Sequence, residues 1–166
     1  MAEKPRAEPI RTPLAKEDGI DFHVIELLFF AYRDFTSDPD EILAGYGFGR
    51  AHHRVLHFVN RLPGLTVAEL LDVLKITKQS LARVLKQLID TGYIVQIQGL
   101  QDRRQRELYP TAKGRTLILE LARPQSRRID AAFNGAGHIE REAVERFLKA
   151  MVDPELRPQI DKMPET

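Results

Sequence analysis

Residues Asp90 to Gly114 read "DTGYIVQIQGLQDRRQRELYPTAKG". Tyr93, Val95 and Ile97 alternate with Gln96 and Gln98, the period-2 pattern of a strand half-buried through its odd-numbered face. "RRQRELYP" returns as a partner strand, and between the two lies a polar tip carrying Asp102, Arg103, Arg104 and Arg106. Three guanidiniums on an exposed tip repel one another. Surface pairing with Asp102 or Glu107 returns only about 0–1 kcal/mol, so folding gives no reason for them. A polyanion does. A cationic tip suits the minor groove of a duplex, whose negative potential deepens as the groove narrows. Asp102, which phosphates would repel, is expected to orient an arginine.

Upstream, Thr66 with Glu69 three residues on forms a capping box that opens the helix "VAELLDVL". Thr77 caps a second helix, "KQSLARVLKQLIDT", and Gly92 closes it at the left-handed position. Two short helices joined at "KI" predict a helix-turn-helix. On a helical wheel Leu81, Val84, Leu85, Leu88 and Ile89 gather on one face. Gln79, Ala82, Arg83 and Lys86 form the opposite stripe, bordered by Lys78 and Ser80. Amide, small and basic side chains on one stripe suit a helix entering the major groove, because an amide pairs with adenine and a guanidinium with guanine or phosphate. The hydroxyls of Thr77 and Ser80 at the helix start suit a phosphate. A solvated basic face is the bland alternative; the arginine tip beside it favours DNA. A helix-turn-helix running directly into a basic hairpin is a winged helix. The expected fold class is therefore mainly α with a small β-hairpin wing.

The flanks complete the plan. The 166 residues carry a net charge of +1, but Arg50 to Arg115 holds twelve Lys/Arg against five acids, +7, leaving −6 elsewhere. One face is thus expected to meet a polyanion. "IDFHVIELLFFAYRDF" (Ile20 to Phe35) is apolar nearly all round, with Pro39 expected as its stop. A helix of that kind needs cover on every side, and a second copy of the chain is the expected cover. A helical segment runs from Thr111 through Pro124, "NGAG" breaks it, and "HIEREAVERFLKAMV" follows. The expected organisation is a disordered tail (1–19), a dimerisation helix and linker (20–48), the winged helix-turn-helix (49–115) and C-terminal dimerisation helices (116–166). With no cysteine, disulfides and zinc–thiolate sites are excluded, which fits a cytoplasmic protein. No apolar run approaches the roughly 18 residues of a membrane span.

The segment Leu65 to Leu117 resembles the winged helix-turn-helix of MarR-type bacterial transcription regulators. The resemblance rests on Leu65–Thr66, on Thr77, Ser80 and Arg83, on "LIDTGYI", and on a wing motif at Asp102, Arg103, Arg104, Leu108, Thr111 and Gly114. Tyr109–Pro110 departs from the family's usual strand end. The resemblance implies a homodimer on a pseudo-palindromic double-stranded operator, a repressor released by a small aromatic or acidic ligand. It places that ligand among the first helix, the "RAHHRVLHF" helix and the start of the long helix after the wing. His23, His52, His53, Leu56 and His57 are the pocket candidates. His52 falls on the wheel within the face of Val55, Leu56 and Val59, where an imidazole would bond an acid or report pH, unless a backbone carbonyl satisfies it. His53 and His57 share the i, i+4 spacing of metal ligands, but zinc wants three or four, so neither metal nor cofactor is expected. Two other classes stand beside the regulator: a winged-helix protein-interaction module docking an acidic partner, and an enzyme. No nucleophile elbow or phosphate-cradling glycine loop supports the last.

Overall fold

The computed structural model describes residues 9–14, 19–99, 102 and 104–164. The chain divides into two compact units, Met1–Asp34 and Phe35–Thr166. The first contains the opening turns of α1 (Phe22–Gly45), which Asp21 caps by accepting the Val24 N–H at 3.1 Å. Ile25, Leu27, Phe29, Phe30 and Tyr32 are all exposed there.

The second unit holds the rest of α1, then α2 (Arg50–Arg61), β1 (Leu65–Thr66), α3 (Val67–Leu74), α4 (Lys78–Asp90), β2 (Ile94–Gln98) and β3 (Arg106–Pro110). After these come α5 (Ala112–Gly135), α6 (Arg141–Met151), a 3-10 turn at Pro154–Leu156 and α7 (Arg157–Asp161). The core gathers Leu43, Val55, Leu56, Val59, Leu70, Leu81, Leu88, Ile94, Leu108 and Leu121.

Both helices of the helix-turn-helix start as expected. Thr66 Oγ1 accepts the Glu69 N–H at 3.3 Å while Glu69 Oε2 accepts the Thr66 N–H at 2.8 Å. These hydrogen bonds from Thr66 hold the Glu69 carboxyl below the usual carboxylate range. Thr77 Oγ1 accepts the Ser80 N–H at 3.1 Å. Gly92 closes α4 at φ +78°, and Lys75 adopts φ 50° in the turn between the helices.

Three expectations are corrected. Pro39 does not stop the first helix; α1 runs through it to Gly45, with Pro39 buried. A proline leaves the carbonyl four residues back without its donor. Here the Gln125 side-chain amide donates to Phe35 O at 3.3 Å instead. The sheet has three strands rather than two, in the order β1-β3-β2, because Leu65 pairs with Leu108. The buried face of the hairpin is the even-numbered one. Ile94 and Leu108 are fully buried, whereas Val95 and Ile97 are 40% and 51% exposed. Leu108 lies opposite Gln96 and shares a face with Ile94, so the odd-numbered residues turn outward.

Candidate nucleic-acid interface

The interface begins with the amphipathic sequence of α4. Leu81, Val84, Leu85 and Leu88 anchor it in the core, which leaves Lys78, Gln79, Ser80, Ala82, Arg83 and Lys86 exposed on the other side. Gln79 and Arg83 have no intramolecular polar partner among the described residues, so their donors face solvent. Lys86 is paired with Asp90 one turn on. Thr77 Oγ1 donates to Ser80 Oγ at 2.9 Å, which commits one hydroxyl hydrogen to the cap.

At the wing, Asp102 acts through the main chain. Its Oδ1 accepts the Arg104 N–H at 2.9 Å, and its carbonyl accepts the Gln105 N–H at 3.0 Å. The Gly99 N–H then donates to Gln105 O at 3.0 Å and closes the tip. Arg104 and Arg106 are exposed; Arg103 lies outside the described residues. Arg104 and Arg106 line a shallow hollow of about 300 Å³ together with Gln96 and Thr66–Ala68, so wing cations and the start of α3 border the same space. Among the described residues Glu107 makes no ion pair with Arg104 or Arg106. It accepts the Tyr109 hydroxyl at 2.7 Å, and that bond raises the phenol above its ordinary range.

The rest of the wing motif is architecture. Thr111 Oγ1 accepts the Gly114 N–H at 3.0 Å and donates to Gly92 O at 2.7 Å, which fastens the start of α5 to the base of β2. Gly114 is obligatory in this packing, because a Cβ there would come within 2.1 Å of Tyr93 O.

Sequence reading missed the braces behind the interface. Arg54 Nη2 donates to Leu74 O at 2.8 Å across the helix-turn-helix turn. Lys113 Nζ donates to Thr91 O at 2.9 Å and sits 4.2 Å above the Tyr93 ring. His52 bonds Gln87 on α4. These partners lie 20, 22 and 35 residues apart, a distance no local pattern reports.

Leu56 is fully buried in the core, and His23 is exposed within the first unit. His52 is half-buried, with Nδ1 accepting the Gly49 N–H at 3.1 Å and Nε2 set 2.9 Å from Gln87 Oε1. Partial burial lowers the titration of both His53 and His57, aided at His53 by the nearby His57 and at His57 by Arg61. No group of three or more metal-ligating side chains occurs among the described residues. An open hollow of about 720 Å³ lies between α1 and α5, lined by Asp38, Glu41, Glu120, Arg123, Arg127 and Arg128 among others.

Comparison with known proteins accords with this geometry. Residues 46–105 match the model of the MarR family. Over 133 residues, 80% of each chain, the protein is 50% identical to the HTH-type transcriptional regulator PetP of Rhodobacter capsulatus. An uncharacterized HTH-type transcriptional regulator of Bacillus subtilis, YybA, is 27% identical over 86 residues, 52% of this chain and 57% of its own. Among solved structures, a MarR protein of Peptoclostridium difficile superposes with TM-score 0.69 at 21% identity, covering 90% of this chain and 97% of that one. Streptococcus pneumoniae FabT, solved in complex with DNA, superposes with TM-score 0.65 at 20% identity, covering 85% and 98%. No helix among the described residues is long and apolar enough to cross a membrane. With its winged helix-turn-helix and these relatives, the chain belongs to the MarR family of DNA-binding transcriptional regulators.

Proposed function

We infer that the protein is a homodimeric repressor that reads a pseudo-palindromic operator with α4 in the major groove and the wing arginines in the adjoining minor groove. The observation that carries this reading is the α4 stripe itself: Gln79 and Arg83 stand exposed and uncommitted on a helix anchored from behind by four buried side chains. Arg104 and Arg106 supply cations beside it for the backbone and minor groove. Two copies are supported by the apolar surface outside the wing and core. Ile25, Leu27, Phe29 and Phe30 of α1, with Phe147, Leu148 and Met151 of α6, are each more than half exposed within one chain. Exposed apolar residues grouped on one helix, as on each of these two, mark an interface. Selection from a random duplex pool tests the reading. The expected product is a palindrome with half-sites about 10 bp apart; an asymmetric single site, or no enrichment, would overturn it. Transcription in vitro from a promoter overlapping that site should fall on adding the protein, and a rise would make it an activator.

Release by a small acid is supported by the hollow between α1 and α5. Arg123 and Arg127 carry no partner there among the described residues, while Arg128 is held by Asp38 at 2.9–3.2 Å. Benzoate-class acids should weaken operator binding by the wild type and lose that effect in Arg123→Ala/Arg127→Ala. An unchanged response in the double variant would remove the hollow from the reading.

A further inference from the structure

His52, in the first turn of α2, reaches the last turn of α4, the proposed recognition helix. Phe48 stacks on its ring at a centroid distance of 4.7 Å and an interplanar angle of 11°. Nδ1 accepts the Gly49 N–H at 3.1 Å, and Nε2 lies 2.9 Å from Gln87 Oε1. These two bonds admit one protonation state. A main-chain amide only donates, so Nδ1 carries a lone pair; a carbonyl oxygen only accepts, so Nε2 carries the proton. The neutral Nε2–H tautomer satisfies both partners. The other neutral tautomer satisfies neither, and the imidazolium turns a second N–H against the Gly49 N–H.

The titratable and charged groups near this ring are bonded elsewhere or unbonded to it. Tyr46 and Tyr93 complete the aromatic cluster around Phe48, the first donating to Glu120 of α5 and the second lying under Lys113 of α5. Arg50 pairs with Asp40 of α1, and Lys86 with Asp90 on either side of Gln87. His53 is the neighbour on α2 itself. Gln87 is also where α4 is finished, since its carbonyl accepts both the Thr91 N–H at 3.0 Å and the Thr91 hydroxyl at 2.6 Å. One turn earlier on α4 lies Arg83.

We propose that His52 is a positioning residue of the recognition helix: as the neutral Nε2–H tautomer it ties the α2 start to Gln87, and protonation of the ring releases that tie and weakens sequence-selective DNA binding. The inference rests on α4 reading the duplex. Its sign follows from linkage. The tied form holds one proton fewer than the released form, so selectivity is full where the ring is neutral and falls as acid protonates it.

Two measurements on the full chain test it. The first needs no DNA: long-range ¹⁵N–¹H correlation of the imidazoles at about pH 8. The expected result is a protonated Nε2 and bare Nδ1 at His52, with the Gly49 amide shift following that ring's titration. A protonated Nδ1, or a Gly49 amide indifferent to it, overturns the proposal. The second compares affinity for the duplex selected from a random pool with affinity for a scrambled duplex of equal length, at constant salt between about pH 5.5 and 8. The ratio cancels the charge that the other histidines add in acid. The wild-type ratio should fall about tenfold towards acid. His52→Gln keeps an amide donor for Gln87 but does not titrate, so its ratio should stay level; Gln87→Leu should show the reduced ratio at every pH. A His52→Gln ratio that still falls as the wild type's does, or a Gln87→Leu ratio equal to the wild type's, sinks the proposal alone. Failure of the wild type to prefer the selected duplex at pH 8 sinks the DNA reading as well.

Discussion

At Gln79 and Arg104 two kinds of contact separate. Gln79 is exposed on the α4 stripe that the proposed reading puts against base edges, whereas Arg104 stands on the wing with its main chain pinned by Asp102. Gln79→Ala should therefore relax preference at one position per half-site, by about 1–3 kcal/mol. Arg104→Ala should weaken binding to every sequence and reduce the salt slope by about one. Competition binding across a substitution series, repeated at several salt concentrations, distinguishes the two; identical profiles would contradict the assignment. The histidines of α2 carry a separate expectation. Folding lowers the titration of His53 and His57 through burial, so the unfolded chain binds more protons as pH falls from the ordinary imidazole range. Stability contributed by their neutral forms is full above that range and is lost below it, down to their folded-state titration. Unfolding midpoints of His53→Gln/His57→Gln should fall less between about pH 7.5 and 5.5 than those of the wild type. An unaltered pH dependence would dissociate these rings from acid stability. The types of these residues were legible from the helical wheel. Which ring nitrogens were engaged was not, because Gln87 lies 35 residues from His52.

The elements were legible to differing degrees, and each miss has its own cause. Caps are local chemistry, so Thr66, Thr77 and Gly92 mark α3 and α4 in the sequence as they do in the structure. Pro39 misled because the donor that satisfies Phe35 O comes from Gln125, ninety residues on. The outward face of β2 was misassigned because alternation gives a period without saying which phase meets the core. A two-residue strand such as β1 is too short to show any period. The junction of β2 with α5 is the element most sensitive to change. Gly114→Ala should push α5 off Tyr93 O and cost upwards of about 1–3 kcal/mol. It would also strain the Thr111 cap, so chemical denaturation should report the loss and the selected duplex should bind more weakly. A variant with unchanged midpoint would show that the helix start yields without cost.

Over the whole molecule the charge and the apolar surface divide the work. The basic middle segment carries +7 and the flanks −6, and most of the exposed large apolar side chains lie in those flanks, with groups on α1 and α6. Phe29→Glu, at a side chain 76% exposed in one chain, should leave the second unit folded while shifting light-scattering mass from dimer to monomer. Operator affinity would fall with it, because half-sites would be engaged one at a time; a variant that remains dimeric would exclude this helix from the interface. By itself the sequence determined the order of helices and wing, the caps, the hydrophobic stripe of α4 and the sign of the surface beside it. These are consequences of nearest-neighbour sterics, backbone hydrogen bonding and periodicity, all of which act within a few residues. Tertiary structure alone decided which face of the hairpin is inside, that a helix passes through Pro39, that His52 bonds Gln87 of α4, and that Arg54 holds the end of α3. Those outcomes depend on partners brought together by burial of the core, and a donor or acceptor twenty to ninety residues away leaves no trace in the local pattern.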